Sequence, residues 1–316
     1  MRKAINQVHI EGRVYDFTIA EKVTGETSKN PGTPYIGGTI DVATDEACLN
    51  IVTVNFTYVT ETTSKGNKNA TYTTLKKIIN DGKTILKDGK DEATKVKIDS
   101  AIALNDFYTD RNGDETLVSA KRANGGFVTI VSALDEDETK RNTFTCDMLI
   151  NKVTRVEADE EKHIDKDYVT VSGAIFDFRN AILPTNFIVK LDGGMKYFES
   201  LDASAQNPVF TKVWGSINSE TIVRKVEEES AFGEPSVKEY TRTVREWIIT
   251  GTSKPDAVYE IGDDQNGITI DEVKKLMADR EVYLADIKKR NDDYKASRAG
   301  AASSATATAA QGGFNF

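Results

Sequence analysis

The chain is poor in the residues that most chemistry requires. Its 316 residues include two histidines, His9 and His163, two cysteines, Cys48 and Cys146, and six prolines. No Ser/His/Asp or Cys/His arrangement can be assembled, and neither a glycine-rich phosphate loop nor HExxH is present. The chain is therefore not expected to be an enzyme, and no cofactor is implied. Asp110-Arg111-Asn112-Gly113-Asp114 begins like a calcium loop, but Glu115 replaces the sixth-position glycine and Lys121 the twelfth-position acid. That segment reads as a hairpin turn, and no metal is expected. The cysteines stand far apart in apolar strand sequence, as buried reduced thiols do. No apolar run approaches the ~20 residues of a membrane helix. Met1-Arg2-Lys3-Ala4 reads as a plain cytoplasmic start, in the host cell if the chain is phage-encoded. Basic charge is also in deficit, with 41 Lys and Arg against 50 Asp and Glu, for a net charge of -9. That argues against a protein that coats duplex DNA. A single-strand binder with a local basic groove on an acidic body remains open, because stacking supplies much of such affinity.

β-Branched, alternating runs are what the chain has in abundance. The opening strand, Ile5 to Phe17, carries a glycine at position 12, and a similar run returns at Val169 to Phe178 with Gly173. Both fit V-x-[IV]-x-G-x-[VI]-[YF]-D-F. A glycine inside such a run marks a sharp bend or a close backbone approach. A second pair, Asn30 to Ile40 and Asn207 to Ile217, aligns without a gap, so the two blocks together point to an internal duplication.

The run Ile5-Asn6-Gln7-Val8-His9-Ile10-Glu11-Gly12-Arg13-Val14 resembles the first strand of bacterial and phage single-stranded DNA-binding proteins. The closing Gly312-Gly313-Phe314-Asn315-Phe316 is similar to the aromatic end of their tails, although residues 300 to 316 carry no charge where that family is acidic. The resemblance implies an OB fold, single-stranded DNA as partner, and a tail through which Phe314 and Phe316 dock replication or recombination proteins. It transfers no base-stacking position.

Further along, Tyr35 to Val42 and Leu49 to Thr60 form a predicted hairpin, with Val52, Val54, Phe56 and Tyr58 on one face. Helical spacing of Leu75, Ile78 and Ile79 predicts a helix over 72–79, placed to plug a barrel end. Strands are predicted at 95–107, 117–119, 126–132 and 143–156, with a turn at Ala123-Asn124-Gly125-Gly126. The charged bridge 158–167 suggests a boundary between a first OB-like domain, 1–157, and a second, 168–262. Thr269-Ile270-Asp271-Glu272 is a capping box opening a helix over 269–297, before a low-complexity tail, 298–316.

Basic and aromatic residues interleave in a few places. Tyr58, Lys65, Lys68, Tyr72, Lys76 and Lys77 fall in one hairpin-to-helix stretch; Lys95 and Lys97 alternate on a strand; Lys121, Arg122 and Phe127 flank the glycine pair. Lys212 and Trp214 share a strand, and Arg224 follows. Such sets suit single strands, whose backbone needs cations and whose bases need flat rings. The blander reading makes the lysines solvated and the rings core.

The expectation is a mostly β protein: two OB-like barrels related by duplication, a long C-terminal helix and a disordered tail. Its expected function is sequence-tolerant binding of single-stranded DNA in phage replication or recombination, with homo-oligomers left open. The alternative is a structural or assembly protein of the virion, with its aromatics in the core.

Overall fold

A computed structural model of the chain describes residues 3–26, 28–111, 114–159, 164–228, 236–253 and 268–309. Strands dominate it. In chain order they are β1 (Asn6–Phe17), β2 (Ala20–Val23), β3 (Pro34–Ala43), β4 (Ile51–Thr60), β5 (Lys95–Arg111), β6 (Asp114–Ile130), β7 (Asn142–Val156), β8 (Tyr168–Phe176), β9 (Ile182–Val189), β10 (Val209–Glu228) and β11 (Ser236–Thr252). Helices α1 (Ala70–Asp81), α2 (Ile85–Asp88), α3 (Asp192–Ser200) and α4 (Ile270–Ala309) complete the chain.

The pairing closes two rings of strands with one connectivity. In the first, β1 pairs with β3, β3 with β4, β4 with β6, β6 with β5, and β5 returns to β1; only β4–β6 is parallel. The second runs β7, β8, β9, β11, β10 and back to β7, with only β9–β11 parallel. Each has a helix between its third and fourth ring strands, α1 or α3. This is the OB-like order, present twice.

The repeat seen in the sequence falls on strands that are not equivalent. By connectivity β7 is the counterpart of β1, whereas the matching pattern lies on β8; likewise 30–40 reaches β3 and 207–217 reaches β10. The shared pattern reports a shared strain. A Cβ on Gly12 would run into the Ala43 carbonyl oxygen of β3, and one on Gly173 into the Leu149 carbonyl oxygen of β7. Both glycines sit where the first two strands of a ring cross, one on each partner. The glycine pair near position 125 also differs from expectation. It is a bulge inside one continuous β6, with φ of 68° at Gly125 and 102° at Gly126, a region glycine enters at little cost.

The two rings are fused. Residues 6–10 of β1 pair with the antiparallel residues 142–146 of β7, with Val8 opposite Phe144, and residues 8–10 pair with β5 on the other side. One core therefore spans both units. Val8, Ile10, Phe144 and Cys146 are all buried in it, and the Phe144 ring stacks on Phe187 at 5.0 Å. Asn50 ties the first unit's hairpin turn to β10, donating to the Ile217 carbonyl (3.1 Å) and accepting from the Ser219 amide (2.8 Å).

The helices begin where side chains satisfy free amides. Asn69 accepts from the Thr71 amide at 3.1 Å to cap α1, which buries Thr71, Tyr72, Leu75 and Ile78 along one face. The capping box of α4 is formed, with Glu272 accepting from the Thr269 amide at 2.8 Å. Ile268, Val273 and Leu276 seat that end of α4 against a second cluster containing Phe176, Ile182 and Phe210. No helix among the described residues is long and apolar enough to cross a membrane.

The crossing makes a direct demand on residue 173. Gly173→Ala should lower the unfolding free energy in urea by about 1–3 kcal/mol, the usual range for overpacking. Gly25→Ala, with no atom of the described residues beyond its chain neighbours within 4 Å of the added carbon, should change it little; equal effects would contradict the crossing.

Candidate nucleic-acid interface

The outward face of the first ring is built from the alternate residues of β3, β4 and β6. Thr57 Oγ1 donates to Asn124 Oδ1 (3.1 Å), and Thr53 Oγ1 to Asp41 (2.6 Å), so the middle of this wall is polar. Toward one end it turns aromatic. Tyr35 and Tyr58 meet with ring centroids 4.9 Å apart, and Tyr58 is 49 % exposed: it leaves the buried face of Val52, Val54 and Phe56, on which alternation placed it, because the β3–β4 register shifts between Ile36 and Gly38. Phe127, 73 % exposed, stands on β6 three residues past Asn124, just as Tyr58 stands three past Asn55 on the parallel β4. The bulge at Gly125–Gly126 re-aims β6 just before Phe127.

Cations flank these rings. The segment 61–69 folds back as a short finger, with Thr62 bridged to Lys68 and the Asn67 carbonyl accepting from Thr63 (2.8 Å). Lys65 and Lys68 are exposed on it. Among the described residues neither has an ion-pair partner, and the same holds for Lys77 on α1 and Lys97 on β5. Tyr58, Lys65, Lys68 and Phe127 thus share one end of one unit. Nothing in the sequence around Tyr35 marks it as part of this set; the hairpin register, which sets Tyr35 against Thr60, is the signal that places it beside Tyr58.

The second unit offers a different version of the same place. Lys97 faces Glu11 in the first ring as Lys212 faces Asp147 in the second. Two residues on, Asp99 is paired with Phe127, and Trp214 with Gly251. Each unit therefore shows one exposed ring at this strand pair, taken from opposite strands. Gly251 has no room for a Cβ because the Trp214 indole lies across it. Between the two rings the strands β6, β5, β1, β7 and β10 run side by side, presenting Asp99, His9, Gln7, Thr143 and Thr145. His9 Nδ1 lies 2.7 Å from Asp99 Oδ1.

Several expected contacts are committed elsewhere. Tyr72 is buried in the core, on the inner face of α1, and is not available to stack on a base. Lys76 pairs with Glu21 at 3.2 Å, and Lys95 Nζ donates to the Ser132 carbonyl at 3.3 Å. Lys121 turns toward the second unit. Its stem is only half-buried, but its ammonium donates to the Asn186 carbonyl and sits 4.1 Å from the Phe187 ring centroid and 5.5 Å from that of Trp247. Burial lowers its pKa to about 7. Arg122 is half-buried near Asp106 and Tyr283. The Arg224 side chain, Phe314 and Phe316 lie outside the described residues. Among the described residues no group of three or more His, Cys, Asp or Glu could hold a metal ion.

A profile of the YorF family matches residues 4–290. The chain belongs to the YorF family. No curated protein matches it in sequence. Among solved structures it is similar to the wild-type single-stranded DNA binding protein from Thermus aquaticus, with 9 % identity and a TM-score of 0.46 over 80 % of this chain and 94 % of that one. A deletion mutant of that Thermus protein aligns at 9 % identity and a TM-score of 0.45, over 84 % of this chain and 100 % of that one.

Lys121 gives the joint between the units a pH signature. Above pH 7 the unfolded chain binds a proton at this lysine that the native one has lost, so stability should rise with pH. The Cys146 thiol is held protonated by burial and works the other way near its ordinary value of 9.0, so the clean window is about pH 7 to 8.5. Urea unfolding across it should show the rise, and Lys121→Met should flatten it. An identical slope in both proteins would contradict the assignment.

Proposed function

We propose that the protein binds single-stranded DNA without sequence preference and without catalysis, serving replication or recombination, of a phage if the chain is phage-encoded, in the cytoplasm. The observation that carries this reading is the pairing of exposed rings with uncommitted lysines at one end of the first unit: Tyr58 and Phe127 beside Lys65 and Lys68. Bases have flat faces whatever their identity, so rings spaced along a wall accept any sequence. The lysines meet phosphates, and their local density matters more than a net charge of -9. Trp214 and Lys212 supply a second stacking point on the neighbouring unit.

A labelled oligo-dT titrated at several salt concentrations tests the reading. Wild-type protein should bind, and affinity should fall steeply with salt. Tyr58→Ala and Phe127→Ala should each cost ~1–3 kcal/mol, about 5- to 150-fold in Kd. Phe178→Ala removes an equally exposed ring from the β8–β9 turn and should change nothing. No binding at low salt would contradict the proposal and favour an assembly protein of the virion.

A further inference from the structure

The outer parts of β5 and β6 run past the first ring as a two-stranded arm, and α4 lies along it. The two ends of α4 are held by different forces. Its beginning is anchored by apolar packing of Ile268, Val273 and Leu276. Beyond that, Val282 is 72 % exposed, and the helix is fastened to the arm by charge. Arg280 pairs with Asp106 at 2.6 Å, Lys288 with Glu115 at 2.6 Å and with Asp292 of α4 itself at 3.2 Å, and Lys295 with Glu115 at 2.8 Å and Asp110 at 3.2 Å. Asn291 Nδ2 also donates to Glu115, at 2.8 Å.

Arg280, Lys288 and Lys295 fall on one helical stripe, about 22 Å from first to last at 1.5 Å per residue. The arm sets a row of carboxylates along that stripe, as a phosphodiester backbone would set a row of phosphates. Two features make the contact exchangeable. Lys288 and Lys295 are each 45 % exposed, so a polyanion can reach them. The buried Arg280–Asp106 pair is incompletely satisfied, because Asp106 Oδ2 and Arg280 Nε have no hydrogen-bond partner among the described residues; the cost of desolvating both ions offsets much of their attraction.

We propose that this basic stripe of α4 is a second site for the backbone of single-stranded DNA, masked by the first unit's own arm until DNA displaces it. The inference rests on the single-strand-binding reading. DNA first engages the rings around Tyr58 and Phe127; its following phosphates then compete with Asp106, Asp110 and Glu115 for the α4 cations. Apolar anchoring keeps the helix attached while the arm swings away.

Two measurements on the full chain test this. Fluorophores placed by Thr116→Cys on the arm and Asp293→Cys on α4, in a Cys48→Ser background, report their separation. Oligo-dT in excess at fixed ionic strength should lengthen it. Asp110→Asn with Glu115→Gln should then bind oligo-dT several-fold more tightly than the control pair Glu136→Gln with Glu157→Gln, which removes the same charge from exposed positions off the arm. An unchanged separation with bound dT, or equal affinities of the two double variants, overturns the masking while leaving the ring site intact. No dT binding by either double variant or by the wild type overturns both.

Discussion

The antiparallel pairing of β1 with β7 joins the two units into one body. It is short, residues 6–10 against 142–146, but its inward side chains Val8, Ile10, Phe144 and Cys146 belong to one buried cluster shared by both units. Two small rings that would each bury a limited core instead bury a common one, and the fraction of surface removed from water rises with size. The same pairing fixes the exposed rings of the two units on one body. Phe127 and Trp214 are separated by β5, β1 and β7 rather than by a linker.

That rigidity shapes how the surface can work. A ligand spanning both units would meet the exposed rings at a set distance, so ordering the protein would cost little on binding. The units are not interchangeable, however. The first has the lysine-bearing finger 61–69 between its third ring strand and its helix, whereas β9 ends at Val189 and α3 begins at Asp192. Electrostatics divide the same way. Among the described residues Lys65, Lys68 and Lys97 have no ion-pair partner, while Lys121 is spent on the joint between the units and the α4 cations on the arm. An acidic protein can keep a local cationic surface only where its lysines escape such internal pairing.

Much of the architecture could be read from the sequence, for physical reasons. Alternating β-branched runs, the capping box at Thr269 and the Leu75/Ile78 stripe of α1 are local signals that mark their elements, except that the expected strands 117–119 and 126–132 are one strand, β6, with the glycine pair as a bulge inside it. The glycine-centred repeat marks a recurring local contact and not equivalent strands. Gly12 and Gly173 do share a cause, a neighbouring carbonyl where two strands cross, but that cause recurs on whichever strand needs it. The repeat therefore pointed to two like units and misaligned their strands. The site was less legible. Tyr58 and Tyr72 are both tyrosines among lysines in the sequence; one is exposed and the other buried because α1 turns Tyr72 inward. Nothing local distinguishes Lys65 from Lys121, since the fate of Lys121 is decided by Phe187 and Trp247, far along the chain.

Photocrosslinking with oligonucleotides carrying iodouracil, followed by peptide mapping, asks whether one DNA strand is held by rings of both fused units. A single oligonucleotide should crosslink at Tyr58 or Phe127 in the first unit and at Trp214 in the second. Crosslinks absent from all three rings, or confined to one unit whatever the oligonucleotide length, would contradict it.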